Sequence, residues 1–193
     1  MESLPGGYLK TLGLDYECLR ESNPGLVMAS ISPFGQTGPW KDFKSSDLIA
    51  MAASGFMQIT GEPDEPPVRQ GNEQSHFAGA QYAAVAVMGA LYFRDMLSGE
   101  GQYIDVSMLR ATVATMGVGL MEYEMTGRVM GPRGNFDPVM APYGNYPCQG
   151  DDVWVSIAVR TEEEWQGLKE AIGGPAWCED CLLYTSDAAD EGL

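Results

Sequence analysis

The stretch from Ser75 to Ser107, SHFAGAQYAAVAVMGALYFRDMLSGEGQYIDVS, constrains the fold of this chain more than any other. Its middle, Ala78 to Phe93, is almost wholly apolar, with Ala and Gly interspersed. The pattern predicts one long helix from Gln74 or Ser75 to about Ser98. Apolar residues all round predict a helix buried between other layers, with Ala and Gly where neighbours come close. Gly99 and Gly101 end it, because glycine takes the left-handed conformation that a helix C-terminus favours. Gln102 to Ser107 then alternates as a strand does. The apolar run falls short of the ~18–20 residues that a membrane span requires.

Upstream, Asp15 to Glu21 reads as a short helix broken by Asn23-Pro24-Gly25. Leu26 to Ser32 reads as a strand apolar enough to be buried on both faces, as parallel strands are. The loop Pro33-Phe34-Gly35-Gln36-Thr37-Gly38-Pro39 follows it directly. In open α/β sheets, ligands bind past the carboxyl ends of the strands. Ser46 or Asp47 is placed to cap a helix running to about Thr60. Gly61 to Arg69 is a proline-rich loop leading into the long helix. Downstream, Met108 to about Thr126 reads as a second apolar helix stopped by Gly127, and Arg128 to Gly144 as an irregular connection. Val153 to Val159 alternates as a strand. Thr161 and Glu164 form a capping box for a helix from Glu162 to Ile172.

The formal charge of −16 over 193 residues argues against nucleic acid or an anionic membrane as partner, since both call for a basic face. It leaves room for an anionic small molecule held by a local basic cluster. The start, MESLPGG, lacks the basic and apolar regions of a secretory leader, so the expectation is a soluble, cytoplasmic protein. Cys178-Glu-Asp-Cys181 is a lone C-x-x-C pair, and the single His lies far upstream. A zinc site takes four ligands, so no metal is expected and the four cysteines read as free thiols.

The pattern A-G-x-x-Y-A-A…A-L-x-x-R…S-G-x-G-Q-x-x-D-V-S, with P-G…N-P-G-L-V…S-I-S-x-F-G-Q-T-G-P between Pro5 and Pro39 and P-P-V-R ending at Arg69, resembles the class III CoA-transferase family. That group includes formyl-CoA transferase, carnitine CoA-transferase and 2-methylacyl-CoA racemase. The resemblance implies an α/β fold: part of a large domain of parallel strands with long buried helices over 1–127, a linker over 128–150, and the start of a small α/β domain over 151–177. It implies transfer of CoA between an acyl-CoA thioester and a free carboxylic acid, with coenzyme A as the thioester substrate and no metal. A racemase or epimerase of the same fold, and a non-catalytic subunit of a heteromeric transferase, are the alternatives. The resemblance lays Pro33, Phe34 and Gly35 along coenzyme A and puts Lys44 near its phosphates. Family members form interlocked dimers, so a homodimer or a heteromeric pair is expected of the full-length protein. Glu2 and Ser3 stand where the family often carries Asn-Phe, and Gly6-Gly7 adds one residue.

In the transferases of this family, a carboxylate at the start of the long helix attacks the donor thioester and forms an acyl anhydride. Counting back from Tyr82–Leu91 places that position on His76; counting back from Ala78-Gly79 places it on Ser75. Neither is an acid. Glu73 is the nearest one. Three readings stay open: His76 or Ser75 fills the site with altered chemistry, Glu73 is the nucleophile after a change of register, or the chain is catalytically silent.

Beyond Trp177 the resemblance stops. Cys181 to Glu191, CLLYTSDAADE, reads as a translated transposase-type sequencing adapter, so 178–193 are expected to be a non-native tail. Family members are about twice this length, which makes the chain an interior fragment with low expected activity on its own.

Overall fold

In a computed structural model, residues 1–179 are described. They fall into two compact units, Met1–Pro132 and the part that begins at Arg133.

The first unit is built on two parallel strands. β1 (Met28–Ser32) pairs with β2 (Tyr103–Ser107) in the register Met28 to Tyr103 and Ser32 to Ser107. The N-terminus adds a bridge on the other side of β1. Glu2 donates its N–H to the Ala29 carbonyl, and its own carbonyl accepts from Ile31. Parallel strands require a long crossover, here the whole helical segment between them. That segment follows α1 (Tyr8–Thr11) and α2 (Tyr16–Ser22), the latter capped by the Asp15 carboxylate accepting from the Cys18 N–H. It holds α3 (Asp47–Ala53) and α4 (Gln74–Phe93).

α4 is the long helix that the apolar run predicts. It ends in a π-helical turn, Arg94–Ser98, closed by Gly99 at φ 73°. It packs against β1, β2 and α3. Its buried positions are Ser75, Ala78, Gly79, Ala83 and Ala90, all small. Gly79 shows why: a Cβ there would stand 3.1 Å from Met108 Cγ and 3.6 Å from Ile31 Cγ2. The expectation of a helix buried all round needs correction. Phe77, Tyr82, Val85, Met88 and Tyr92 are exposed among the described residues, because these supply a packing layer on one side of α4 only.

Two further expectations change. The helix expected from Ser46 to Thr60 breaks after Ala53, where Gly55 adopts φ 83° and a 3-10 turn, Phe56–Ile59, follows. The helix expected over 108–126 is two: α5 (Met108–Ala114) and α6 (Gly117–Thr126). Between them the Thr115 hydroxyl donates to the Thr112 carbonyl and the Met116 N–H to that of Val113, tightening the chain into a turn.

In the second unit, β3 (Tyr143–Pro147) and β4 (Trp154–Ala158) form an antiparallel hairpin. β3 lies inside the segment 128–150 expected as linker, where its YGNYP sequence, rich in turn residues, carries no strand signal. α7 (Glu162–Ala171) starts on the expected capping box. The N–H groups of Arg160 and Thr161 hold the Glu164 carboxyl below its usual range. Trp165, Val159 and Cys178 make the core of this unit, with Ile157 and Leu168 against it. Cys178 is a buried free thiol, whereas Cys181 and the rest of the adapter-like stretch lie outside the described residues.

Candidate functional site

Parallel pairing sends the carboxyl ends of β1 and β2, and the loop after β1, to one end of the sheet. The loop Pro33–Pro39 is fixed there by β2. Asp105 accepts the Gln36 N–H with both carboxylate oxygens at 3.0 Å. The Pro33 carbonyl accepts from the Leu109 N–H at 3.0 Å. Gly35 passes over Asp105 at φ 86°, where a Cβ would stand 3.4 Å from the carboxylate. A side chain at that φ is strained, so glycine sets the loop's path. Phe34 is buried and meets Trp40 and Phe43 edge-on at 5.9 and 6.2 Å, so its ring anchors the loop.

Period-two alternation puts Met28, Ser30 and Ser32 of β1 on one face with Tyr103, Asp105 and Ser107 of β2. That face is polar. Tyr103 donates its phenol to Ser30 Oγ at 2.8 Å, and burial pushes the phenol pKa up, which keeps it a neutral donor. Ser32 Oγ and Gln36 Nε2 are buried there without a protein partner. In front lies a cleft of about 650 Å³ whose lining includes Ser30, Tyr103, Gln36, Tyr16, Lys10 and Lys41. Tyr16 stacks on Tyr103 with centroids 5.6 Å apart. Cys18 also lines the cleft, and the charge of Asp15 first, then burial, pushes its thiol pKa up, away from thiolate character. Lys44 is exposed and does not line the cleft.

The second focus is the start of α4. Ser75 is fully buried. Its hydroxyl donates to Asp47 Oδ1 at 2.7 Å, and its N–H donates to the same oxygen at 3.0 Å. Asp47 Oδ2 forms an ion pair with Arg69 Nε at 3.2 Å without hydrogen-bond geometry. His76 lies on the outside, its Nδ1 paired with Glu73 Oε2 at 2.9 Å, and both side chains are exposed. Ser75 therefore has its oxygen committed inward, while His76 and Glu73 face out together. The Pro33–Gly35 loop belongs to the other focus, at the carboxyl end of the sheet.

Asp47 was legible in the sequence only as a helix cap, because its partner Ser75 is 28 residues downstream. Tyr103 and Asp105 carried a readable signal. The alternation in QYIDVS places them on one face of a strand, and two polar groups on the face of a parallel strand mark a lined surface.

Comparison with known proteins matches residues 1–191 to the model of CoA-transferase family III. The chain is 35% identical to succinyl-CoA–D-citramalate CoA-transferase of Chloroflexus aurantiacus, over 99% of this chain and 47% of that protein. It is 38% identical to succinate–glutarate CoA-transferase of Agrobacterium fabrum, over 93% of this chain and 44% of that protein. It is 33% identical to the BbsE subunit of succinyl-CoA:(R)-benzylsuccinate CoA-transferase of Thauera aromatica, over 92% and 43%. A CAIB/BAIF family protein from Brucella suis superposes with a TM-score of 0.86 at 29% identity, over 94% of this chain and 47% of that one. The chain thus spans less than half the length of these relatives. The α/β architecture with its parallel strand pair superposes on the fold of the Brucella suis protein. Among the described residues, no helix is long and apolar enough to cross a membrane. The parallel strand pair, the long small-residue helix and the family match agree: the chain belongs to CoA-transferase family III.

Proposed function

We propose that this chain is part of an enzyme that moves CoA from an acyl-CoA thioester to a free carboxylic acid. The family match over 1–191 carries that reading. The polar cleft is its CoA side. Lys10 and Lys41 on its rim suit phosphates, with Lys44 on the same connecting segment as Lys41. The stacked Tyr16 and Tyr103 suit an adenine ring. The orphaned Ser32 Oγ and Gln36 Nε2 are polar groups still lacking a partner. Pro33, Phe34 and Gly35 shape the loop beside it.

The reacting turn is the start of α4. A covalent route passes the acyl group from the thioester to an enzyme carboxylate and releases CoA thiolate. The thiolate attacks the enzyme carbonyl of this anhydride, giving an enzyme CoA thioester and the free donor acid. The acceptor carboxylate displaces the thiolate to form a second anhydride. The thiolate then takes the acceptor acyl group and frees the enzyme carboxylate. Of the three candidates, only Glu73 is a carboxylate, and it is exposed. Asp47 is the other acid at this turn, but it is buried and committed to Ser75 and Arg69. A second reading follows from this geometry: a subunit that binds CoA and leaves the covalent step to a partner chain. The BbsE relative, itself named as a subunit, fits that reading.

The test incubates the chain with succinyl-CoA and a panel of free acids and follows every CoA thioester by mass spectrometry. The transfer reading expects an acceptor thioester to accumulate while total thioester stays constant. Hydroxylamine then displaces CoA from the activated Glu73 carboxyl and leaves its hydroxamate on the chain. The subunit reading expects CoA binding with no hydroxamate formed. Exchange of the α-proton with solvent deuterium and no transfer would replace both with a racemase.

A further inference from the structure

Helix α4 starts without a cap of its own. Glu73, in the N-cap position, makes no side-chain hydrogen bond to the first turn, and its carboxylate pairs with His76 instead. The first N–H groups of a helix need an acceptor from elsewhere. Here it comes from the first residue of another helix. Asp47 of α3 accepts both the N–H and the hydroxyl of Ser75. Its second oxygen faces Arg69, which closes the proline-rich loop. A carboxylate 5% exposed is costly to bury unless it is paired and hydrogen-bonded; Ser75 supplies the two hydrogen bonds and Arg69 the charge. One buried anion thereby ties together the starts of α3 and α4 and the end of the loop before α4.

Successive helix residues are turned by about 100°. Drawing Ser75 fully inward therefore swings His76 outward, where its ring is half exposed beside Glu73. We infer that Asp47 is a positioning residue: through Ser75 it sets the direction in which position 76 faces, and Arg69 holds Asp47 in place. This rests on the reading that the reaction is centred on the start of α4. The geometry of the clamp stands whether or not the chain turns over.

The test uses the full chain, whose single histidine makes the imidazole signals unambiguous in NMR spectra. Wild type is expected to show one His76 rotamer with ring contacts to the Glu73 side chain. Asp47→Ala is expected to average the rotamers, abolish those contacts, and raise amide exchange at Ser75 by about ten- to a hundredfold. Asp47→Asn keeps an acceptor oxygen and is expected to restore the His76 rotamer in part. Ser75→Ala removes only the hydroxyl bond and gives a milder form of the same change should Asp47→Ala unfold the unit. An unchanged His76 signal with faster exchange would reduce Asp47 to a helix cap and overturn the proposal. Unchanged exchange as well would remove the cap too. Neither readout depends on turnover, so absence of thioester transfer would overturn the functional reading and leave this one standing.

Discussion

Gly101→Ala is expected to destroy the pairing of β1 with β2. The glycine follows the π-helical turn and donates its N–H to the Pro24 carbonyl at 2.8 Å, which draws the two chain segments together just before the strands begin. A Cβ at this position would fall inside the Leu26 peptide group, overlapping its carbonyl and standing 2.6 Å from its nitrogen. The obstacle is backbone, so no rotamer change relieves it. Overpacking in a core costs about 1–3 kcal/mol where side chains can yield; here the expected loss is about 3 kcal/mol or more. Gly89 is the control. It lies mid-α4 with nothing within 4 Å of the would-be Cβ, so Gly89→Ala is expected to stabilise by about 0.5–1 kcal/mol. Amide exchange at Ala29, Ser30 and Ile31 reads both. Retained protection in Gly101→Ala would show that the close approach to Leu26 does not set the strand register.

Trp165→Ala is expected to unfold the second unit and leave the first intact. The indole is 7% exposed and, among the described residues, forms the buried core of this unit with Val159 and Cys178, against which the partly buried Ile157 and Leu168 pack. Removing a buried Trp side chain costs about 3–5 kcal/mol, partly through the cavity it leaves. Units this small have little stability in reserve. Exchange should therefore rise across β3 and β4 and stay unchanged across β1 and β2. A cooperative loss of protection in both units would contradict the division at Pro132.

Much of this architecture was legible in the sequence because it depends on local chemistry. The apolar run with Ala and Gly, then Gly99, then the alternation of Tyr103 to Ser107 describes α4, its stop and β2 directly. The Thr161–Glu164 box was legible for the same reason, since it satisfies neighbours within one turn. Where the chain is broken by conformation rather than composition, the sequence misleads. Gly55 is an ordinary residue of a helical pattern until it adopts a positive φ, and Thr115 breaks a helix by a hydroxyl bond to a carbonyl three residues back. Contacts across long separations were not legible at all. Nothing around Asp47 indicates that it caps a helix starting at Gln74, and nothing around Ser75 indicates that its hydroxyl is committed. The sequence offered Ser75, His76 and Glu73 as candidates for the reacting position. Only the structure separates them into one side chain turned in and two turned out.

Whether the polar cleft takes CoA is the most direct question to put to this protein. Calorimetric titration of the chain with CoA tests this without requiring turnover. The predicted result is one CoA bound per chain, weakened about tenfold or more when Lys10, Lys41 and Lys44 are replaced together by Ala, and weakened further by salt. Arg128, which pairs with Glu122 away from the cleft, is the control, and its replacement is expected to leave binding unchanged. No heat of binding, or binding indifferent to the three lysines, would contradict the assignment of the cleft in front of the polar face of the two parallel strands as the CoA side of this protein.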